Sequence, residues 1–353
     1  MHRVSSTSRG RGALSSPEGR FETIRHVLED NESLPHPQTS VIEEKAKSIL
    51  TRNQSPDVPF RTSINPYRGC EHGCIYCYAR PAHAYVDLSP GKDFETRIFA
   101  KRNAVGLLRN EFHKSGYSVD TIVLGANTDP YQPVERNERI TRGILELCDE
   151  YSHPVAITTK NHLVLRDLDI IERLSARELI SVNFSITSLD SKLLTLMEPR
   201  ASTASRRLMA LKTLRDHGVP AGVLMAPIIP GLNDSEIEDI VHASASSGAL
   251  WLTHIMLRLP YEVKELFCEW LEYHFPQKKD RILHLVESTR SGKLNDPRFG
   301  HRMSGSGNYA QLINLRVRAA VQRNGIPGRY EILRKDLFQR APGGQPGLFD
   351  MPA

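Results

Sequence analysis

Residues 65–78 read NPYRGCEHGCIYCY and hold three of the five cysteines of the chain, Cys70, Cys74 and Cys77. Three and then two residues separate these thiols, and an aromatic residue, Tyr76, precedes the last one. Three thiolates on one tight loop can hold three irons of a cubane cluster and leave the fourth iron without a protein ligand. Because an open iron can bind a small molecule, the run predicts a [4Fe-4S] cluster that takes part in a reaction.

Three other interpretations of these cysteines stay open. A structural zinc site usually has four ligands, whereas His72 and His83 are the only nearby histidines and no second cysteine pair follows. A disulfide would leave one thiol over and would need an oxidising compartment. The third interpretation is three unrelated buried cysteines, although such residues rarely meet on a loop rich in Gly, Asn and Pro.

The composition is that of an ordinary globular protein, with 353 residues of which 39% are hydrophobic and 25% are charged. No apolar stretch approaches the roughly 20 residues of a membrane span, so no membrane association is expected. Clustered cysteines without a signal peptide favour a reducing, cytoplasmic location. Cys148 and Cys268 lie among apolar residues of predicted helices and are expected to be small buried hydrophobes.

The net charge of +5 is concentrated at the carboxyl end. From residue 277 onward there are 14 Lys and Arg against 6 Asp and Glu, which leaves the rest of the chain slightly acidic. Such a basic segment suits binding to nucleic acid or another anion. The other interpretation is that Arg316, Arg318 and Arg323 are the solvated face of a helix, and few aromatic residues accompany them to stack on bases.

The first 60 residues differ in character from the rest. Residues 1–20 are rich in Ser, Arg and Gly and are predicted to be disordered, and residues 21–60 form an N-terminal extension with helical patterns at Phe21–Leu28 and Val41–Leu50. Beyond them, apolar β-branched runs alternate with amphipathic stretches. The predicted strands are Thr62–Asn65, Thr121–Gly125, Val155–Thr159, Ile180–Ser185, Ala221–Ala226 and Thr253–Leu257. The predicted helices are Glu95–Lys114, Val134–Glu150, Leu163–Leu174, Ser202–His217, Ser235–Ser247 and Val263–His274.

These strands are hydrophobic along their length, which is typical of parallel strands buried on both faces. Six β-α units over residues 61–276 predict an α/β fold with a curved parallel sheet, either an open partial barrel or a doubly wound sheet. Residues 277–340 are expected to form a basic helical C-terminal segment, and residues 341–353 a flexible tail.

Polar sequences follow the carboxyl end of every predicted strand. They are the cysteine loop, Ala126–Pro130, Thr158–Asn161, Asn183–Thr187, Ala226–Asp234 and Leu257–Pro260. In barrels of this type the catalytic loops gather at that end of the strands. Taken singly, each segment is better explained as a turn. Six of them on one rim predict a functional site there.

The cysteine run and the segment GANTDPYQPVE at residues 125–135 together resemble the radical S-adenosylmethionine (radical SAM) superfamily. The branch they resemble is related to spore photoproduct lyase and is often labelled DNA repair photolyase. The resemblance extends from about residue 60 to about residue 260. It implies a partial (β/α)6 TIM-type barrel with an N-terminal extension and a helical C-terminal segment. It also implies a [4Fe-4S] cluster, S-adenosylmethionine and an electron donor of the flavodoxin or ferredoxin type.

The resemblance implies a reaction as well. In such an enzyme the reduced cluster donates one electron to the sulfonium, and the carbon–sulfur bond breaks to give methionine and a 5′-deoxyadenosyl radical. That radical removes a hydrogen atom from the substrate. Cofactors of this kind carry the difficult chemistry, while the protein supplies orientation and a cavity that excludes water.

The contacts to S-adenosylmethionine follow from the resemblance by position. They are Asn127, Thr128 and Asp129 for the amine, Lys160 for the carboxylate, Ser185 for the ribose, and Tyr76, Ala226 and Ile229 for the adenine. Residues near the same rim are candidates for the substrate side. They are Tyr78, Tyr131 and Arg258.

The resemblance points to DNA as the substrate, in the form of a crosslinked thymine pair. Spore photoproduct lyase returns a hydrogen atom to its substrate from a further cysteine, whereas the spare thiols here are predicted on helix faces away from the rim. A Gly-rich basic segment at residues 298–309 is expected to cap the barrel, to contact a phosphate or to be an ordinary loop, of which the loop is the favoured interpretation. Two alternatives to a radical enzyme are a non-catalytic iron–sulfur protein for electron transfer or sensing, and a zinc-stapled nucleic-acid-binding module.

Overall fold

The computed structural model describes residues 11–21, 38–328 and 332–340. Its strands are β1 (Ser40–Glu43), β2 (Leu50–Arg52), β3 (Thr62–Ile64), β4 (Tyr67–Arg68), β5 (Arg97–Ala100), β6 (Ile122–Leu124), β7 (Val155–Thr159), β8 (Ile180–Ser185), β9 (Ala221–Ile228) and β10 (Leu252–Met256). Its α-helices are α1 (Asp93–Thr96), α2 (Ala104–His113), α3 (Glu135–Glu138), α4 (Ile140–Glu150), α5 (Leu168–Ser175), α6 (Ser191–Met197), α7 (Ala204–Asp216), α8 (Ile237–Ser246), α9 (Val263–His274), α10 (Lys279–Ser288) and α11 (Gly307–Arg323). Short 3₁₀ helices lie at Arg80–Val86, His162–Asp167 and Asp234–Glu236.

The main sheet has seven strands in the order β10-β9-β8-β7-β6-β3-β2. All neighbours from β3 to β10 are parallel, and β2 pairs antiparallel with β3. Because β10 and β2 are the two edges, the sheet is open, in agreement with the partial barrel that the resemblance implies. The six predicted parallel strands are confirmed, and β7 and β8 have the predicted bounds.

The helices between parallel strands carry the chain back along the sheet and cover it, as crossover connections must. In α4 the residues Ile140, Ile144 and Cys148 recur at four-residue spacing and are buried, while Glu146 on the opposite face is exposed. This periodicity produced the prediction of one helix from Val134 to Glu150. The structure divides that span into α3 and α4, because Arg139 adopts a left-handed conformation with φ of 54°.

A second, three-stranded sheet in the order β1-β5-β4 was missed by the sequence analysis. β1 and β2 lie where a helix was predicted at Val41–Leu50, and β5 lies inside the helix predicted at Glu95–Lys114. Both helix predictions are wrong at these positions. β5 forms because its backbone pairs with β1 and with β4, two strands far away in the sequence. Such long-range pairing overrides local preference.

The N-terminal segment differs from the disorder predicted for residues 1–20. Arg11, Ala13 and Leu14 are buried, and the backbone amides of Gly12 and Ala13 donate to the carboxylate of Glu95. These contacts order a stretch whose composition alone predicts disorder. Residues 1–10, most of the helical pattern at Phe21–Leu28 and the tail at residues 341–353 lie outside the described residues. In the described part of the chain, no helix is both long and apolar enough to cross a membrane.

Candidate functional site

The carboxyl ends of the parallel strands bring the predicted site residues to one edge of the sheet. Asp129 follows β6, and its Oδ2 accepts a hydrogen bond from the backbone amide of Lys160 after β7 at 2.7 Å. Lys160 Nζ in turn donates to Ser185 Oγ at the end of β8 at 2.8 Å and to the carbonyl of Ala226 in β9 at 3.4 Å. Four consecutive strand ends are thus joined by hydrogen bonds, as predicted from the parallel order.

The cysteine loop begins directly after β4 and turns through two glycines. Gly69 and Gly73 have φ of 81° and 66°, values that residues with a Cβ rarely adopt. The amide of Gly73 donates to the carbonyl of Cys70 at 3.3 Å, and the amide of Cys77 donates to that of Cys74 at 3.2 Å. These short-range bonds wind the backbone into successive tight turns between the first and the last cysteine.

Arg80 and Glu95 support the loop from beneath and were not identified from the sequence. Arg80 is fully buried, and its Nε donates to the carbonyl of Cys74 at 2.9 Å while its Nη2 donates to that of Gly73 at 3.2 Å. Nη2 also forms an ion pair with Glu95 Oε1 at 2.5 Å. A lone arginine beside a turn is usually exposed, so nothing in the local sequence indicated this role.

The three thiols are free, with Cys70 and Cys74 buried and Cys77 half-buried. Burial raises the pKa of each, and the charges of Cys74 and Cys77 raise the pKa of Cys70 further. In the opposite direction, Arg80 and Lys160 favour the thiolate of Cys77. Thiols that repel one another when ionised need a positive group among them, which iron supplies. The donor set therefore fits a cluster held by three thiolates.

The remaining cysteines do not join this loop. Cys148 lies on α4 inside the main hydrophobic core, and Cys268 lies on α9 near the side chains of Lys264 and Lys279. In the ranges 11–21, 38–328 and 332–340, no three His, Cys, Asp or Glu side chains converge on the position of a single metal ion.

Lys160 belongs to a buried cluster of charged and hydroxyl groups. Besides Ser185, its Nζ contacts Thr187 Oγ1 at 3.2 Å and Glu198 Oε1 at 3.1 Å. Glu198 is also hydrogen-bonded to Tyr76 and paired with the buried guanidinium of Arg207. Burial acts to raise the pKa of Glu198, but the two cations and the hydrogen bonds hold that pKa well below its ordinary value. Within this cluster, two cations surround the carboxylate of Glu198.

Glu198, Thr187 and Arg207 are functional candidates that the sequence analysis missed. Thr187 follows β8 within a segment that was singled out, but Glu198 and Arg207 come from the polypeptide after α6 and from α7. Only the return of α6 and α7 over the sheet brings them to Lys160. No spacing along the chain reports this.

The predicted amine-binding segment is largely hydrogen-bonded within the protein. Asp129 accepts from Thr159 Oγ1 at 2.7 Å and from the amide of Tyr131 at 2.8 Å, in addition to Lys160. Thr128 Oγ1 donates to the carbonyl of Tyr67 at 2.8 Å. Asn127 is exposed at the same loop. The side chains of Thr128 and Asp129 thus hold neighbouring loops together by hydrogen bonds within the protein. The side chain of Asn127 lies on the surface of the site.

Tyr76 and Ile229, two of the three predicted adenine contacts, are both buried. Tyr76 and Ile229 belong to one apolar cluster together with Cys74, and Ile229 is fully buried in it. The hydroxyl of Tyr76 contacts Thr187 Oγ1 at 3.1 Å, and its ring lies 5.6 Å from Lys160 Nζ. Tyr76 therefore connects the cysteine loop to the Lys160 cluster, a position that its sequence context alone did not indicate.

The three substrate-side candidates separate into two groups. Tyr78 and Arg258 lie together, with the guanidinium carbon of Arg258 5.4 Å from the centroid of the Tyr78 ring, and Tyr78 also donates to the carbonyl of Ala126. Tyr131 is fully buried, and its hydroxyl donates to Asp167 Oδ2 at 3.0 Å. The structure thus places Tyr131 in the core rather than on the substrate side, because its hydroxyl serves an internal network.

Comparison with known proteins agrees with this geometry. A family model described as "Radical SAM superfamily" matches residues 64–243. An uncharacterized protein of Mycobacterium tuberculosis is 34% identical over 273 residues, which are 77% of this chain and 76% of the relative. An uncharacterized protein of Methanocaldococcus jannaschii is 32% identical over 242 residues, which are 69% of this chain and 86% of the relative.

Solved structures of spore photoproduct lyase have a similar fold. A cysteine-to-serine mutant of that enzyme aligns over 86% of both chains with a TM-score of 0.60 and 17% identity. The complex with dinucleoside spore photoproduct aligns over 87% of this chain and 86% of the other, again with a TM-score of 0.60 and 17% identity. At this identity the likeness establishes the fold. The family match over residues 64–243 shows that this chain is a member of the radical SAM superfamily.

Proposed function

We propose that this chain is a radical SAM enzyme that holds a [4Fe-4S] cluster through Cys70, Cys74 and Cys77 and acts on damaged or modified nucleic acid in a lyase-like reaction. When bound, the cluster and S-adenosylmethionine supply the radical that removes a hydrogen atom from the substrate. The observation that carries the proposal is the position of three free thiols beside the buried Lys160 cluster, at the edge where the strand ends meet.

The chain's own residues have distinct tasks in this proposal. Lys160 supplies the positive charge that attracts the carboxylate of S-adenosylmethionine, while Arg207 neutralises Glu198. Ser185 offers a hydroxyl to the ribose, and Asn127 offers an exposed amide to the amine. Tyr76 and the apolar cluster around it exclude water from the space beside the cysteine loop.

The choice of nucleic acid as substrate is supported by two observations. The segment after α10 is basic and lies beside the strand ends, since the carbonyl of Met303 accepts from the amide of Met256 in β10 at 2.9 Å. Proteins with a similar fold include spore photoproduct lyase complexed with dinucleoside spore photoproduct. A DNA photoproduct is thus the first substrate to test. Neither Cys148 nor Cys268 lies at this edge to return a hydrogen atom to a substrate radical.

The proposal is tested by anaerobic reconstitution with iron and sulfide, followed by incubation with dithionite and S-adenosylmethionine. We expect the wild type to release 5′-deoxyadenosine and Cys70→Ala to lose both iron and release. Cys268→Ala is the matched control, because it removes a thiol outside the loop, and it should retain its iron. Release of 5′-deoxyadenosine that rises on adding ultraviolet-damaged DNA supports the assigned substrate. A coloured protein that never cleaves S-adenosylmethionine would instead favour the non-catalytic iron–sulfur alternative.

In the cell, we expect a flavodoxin- or ferredoxin-like protein to take the place of dithionite as the electron donor.

A further inference from the structure

Arg258 lies two residues after the end of β10, at the edge where the strand ends meet. Its Nε is buried and has no hydrogen-bond acceptor in the described chain, and its Nη1 contacts the thioether sulfur of Met303 at 3.7 Å. A guanidinium carries five N–H donors, whereas a thioether is a weak acceptor. Among residues 11–21, 38–328 and 332–340, no carboxylate lies within ion-pair distance of Arg258.

The fully buried arginines of the same protein behave differently. Arg80 and Arg207 each pair with a buried carboxylate. Arg290 donates instead to four backbone carbonyls, those of Met256, Leu257, His301 and Arg302. Buried polar groups normally find such partners inside the protein. Arg258 departs from this pattern although it is half-buried and adjoins Arg290.

The charges around Arg258 are also unbalanced. Burial and the neighbouring charge of Arg302 both lower the pKa of Arg258, and Arg258 in turn lowers that of Arg290. Within the described part of the chain, Asp57 is the carboxylate that acts on Arg258, but it is already paired with Arg302 and accepts from the amide of Gly300 at 2.7 Å. Asp296 acts on Arg290 but is itself paired with Arg298. Arg258 therefore lies among cations whose two neighbouring carboxylates are both committed to other arginines, a setting that favours an anion.

Tyr78 connects Arg258 to the cysteine loop. The guanidinium carbon lies 5.4 Å from the centroid of the Tyr78 ring, within the range of a cation–π contact. Tyr78 follows Cys77 directly and is 45% exposed, so a ligand bound at Arg258 would lie beside the third thiol. The two residues come from opposite parts of the sheet edge, and their contact closes the space between β10 and the cysteine loop.

The chemistry of the adjoining segment distinguishes a phosphate from a carboxylate ligand. Lys293, Arg298, Phe299 and His301 are exposed there, and the ring of Phe299 is 58% exposed. Repeated cations with an exposed aromatic ring suit a chain of phosphates carrying bases. Of these residues, Arg298, Phe299 and His301 fall in the segment 298–309, which the sequence analysis expected to cap the barrel, to contact a phosphate or to be an ordinary loop.

We propose that Arg258, held against Tyr78, binds a backbone phosphate of single-stranded or unstacked nucleic acid and so places a nucleotide beside Cys77. This inference rests on the proposed function for its choice of ligand, since it names the subsite at which that substrate is held. Phosphate contacts of this kind fix the position of the strand and carry no base specificity. Binding should therefore be similar for different base sequences.

The test is the binding of a short fluorescent oligothymidylate to the reconstituted holoprotein, measured by anisotropy over a range of salt concentrations. Arg258→Gln should weaken binding about 10- to 100-fold, as expected for the loss of a hydrogen bond to a charged group. The slope of log affinity against log salt should become shallower by about 0.7, the value for one phosphate contact on a single strand. Arg316→Gln is the matched control, because Arg316 lies on α11 and pairs with Glu238.

Two outcomes would overturn the inference. The first is that Arg258→Gln binds like the wild type, or that Arg316→Gln loses as much affinity. The second is that polyglutamate displaces the oligonucleotide through Arg258, which would assign the subsite to a carboxylate ligand.

If Arg258→Gln fails to fold, Arg258→Lys keeps the charge without the planar fork, and it should keep the salt slope while losing affinity. The binding assay involves no turnover. A wild type that binds DNA through Arg258 but never cleaves S-adenosylmethionine would therefore refute the proposed function and leave this inference standing.

Discussion

Arg80 and Glu95 form an ion pair that is completely buried beneath the cysteine loop, with Nη2 of the arginine 2.5 Å from Oε1 of the glutamate. The same carboxylate accepts the backbone amides of Gly12 and Ala13 at 2.9 and 2.8 Å. One pair of side chains therefore holds two distant segments together, the loop that carries the thiols and the N-terminal segment that crosses it. Neither segment has regular secondary structure to fix it independently.

Glu95→Gln should destabilise the protein by about 3–5 kcal/mol, because it leaves the Arg80 charge buried without its partner. The measurement is equilibrium unfolding in urea. Glu150→Gln is the matched control, since Glu150 pairs with Arg109 at the surface, where such pairs contribute about 0–1 kcal/mol. Equal losses of stability in the two variants would contradict the role assigned to Glu95.

Gly12→Ala should detach the N-terminal segment from the cysteine loop. A Cβ at this position would lie 1.8 Å from the carbonyl oxygen of Gly73, and backbone cannot yield as a flexible side chain can. We expect a loss of about 1–3 kcal/mol from overpacking, and faster proteolytic cleavage within residues 11–21. In Gly116→Ala the added methyl group meets nothing within 4 Å, so this control should be cleaved at the wild-type rate.

Lys160→Gln should weaken the binding of S-adenosylmethionine about 10- to 100-fold, because it removes the charged donor proposed to bind the carboxylate of that ligand. Equilibrium dialysis with labelled S-adenosylmethionine on the reconstituted protein measures this. Lys212→Gln, which breaks an exposed pair with Asp216 on α7, should bind normally. An unchanged dissociation constant in Lys160→Gln would remove Lys160 from the binding site.

Glu198 should make a pH-dependent contribution to stability. Its folded-state pKa lies below the ordinary value of 4.5, since Arg207 and Lys160 outweigh the effect of burial. Its contribution is therefore fully present above about pH 4.5 and is lost as the pH falls below that value. We expect Glu198→Gln to be less stable than the wild type at pH 6, and the difference between the two proteins to narrow toward pH 4. Urea unfolding at several pH values measures this difference, and a gap that is constant with pH would contradict the prediction.

The strands of the main sheet could be predicted closely because each is a short run of buried β-branched or apolar residues. Val155–Thr159 and Ile180–Ser185 were predicted with the observed bounds, as was the helix Val263–His274. Arg97–Ala100 was predicted as helix, since it carries no pattern of its own and becomes a strand only by pairing with β1 and β4. The prediction of a site at the strand ends followed from parallel order, which places all carboxyl ends at one edge.

Local patterns in the chain were enough to establish the thiol spacing, the alternation of strands and helices, and the positions of Lys160 and Ser185 at strand ends. Neighbouring residues carry such patterns in full, so no fold is needed to recognise them. Folding was needed to establish that Arg80 and Glu95 support the loop and that Glu198 and Arg207 surround Lys160. It was needed equally for the contact between Arg258 and Tyr78 and for the burial of Tyr131. Each of these contacts joins segments far apart along the chain, and their energy depends on burial and charge that exist only once the chain has folded.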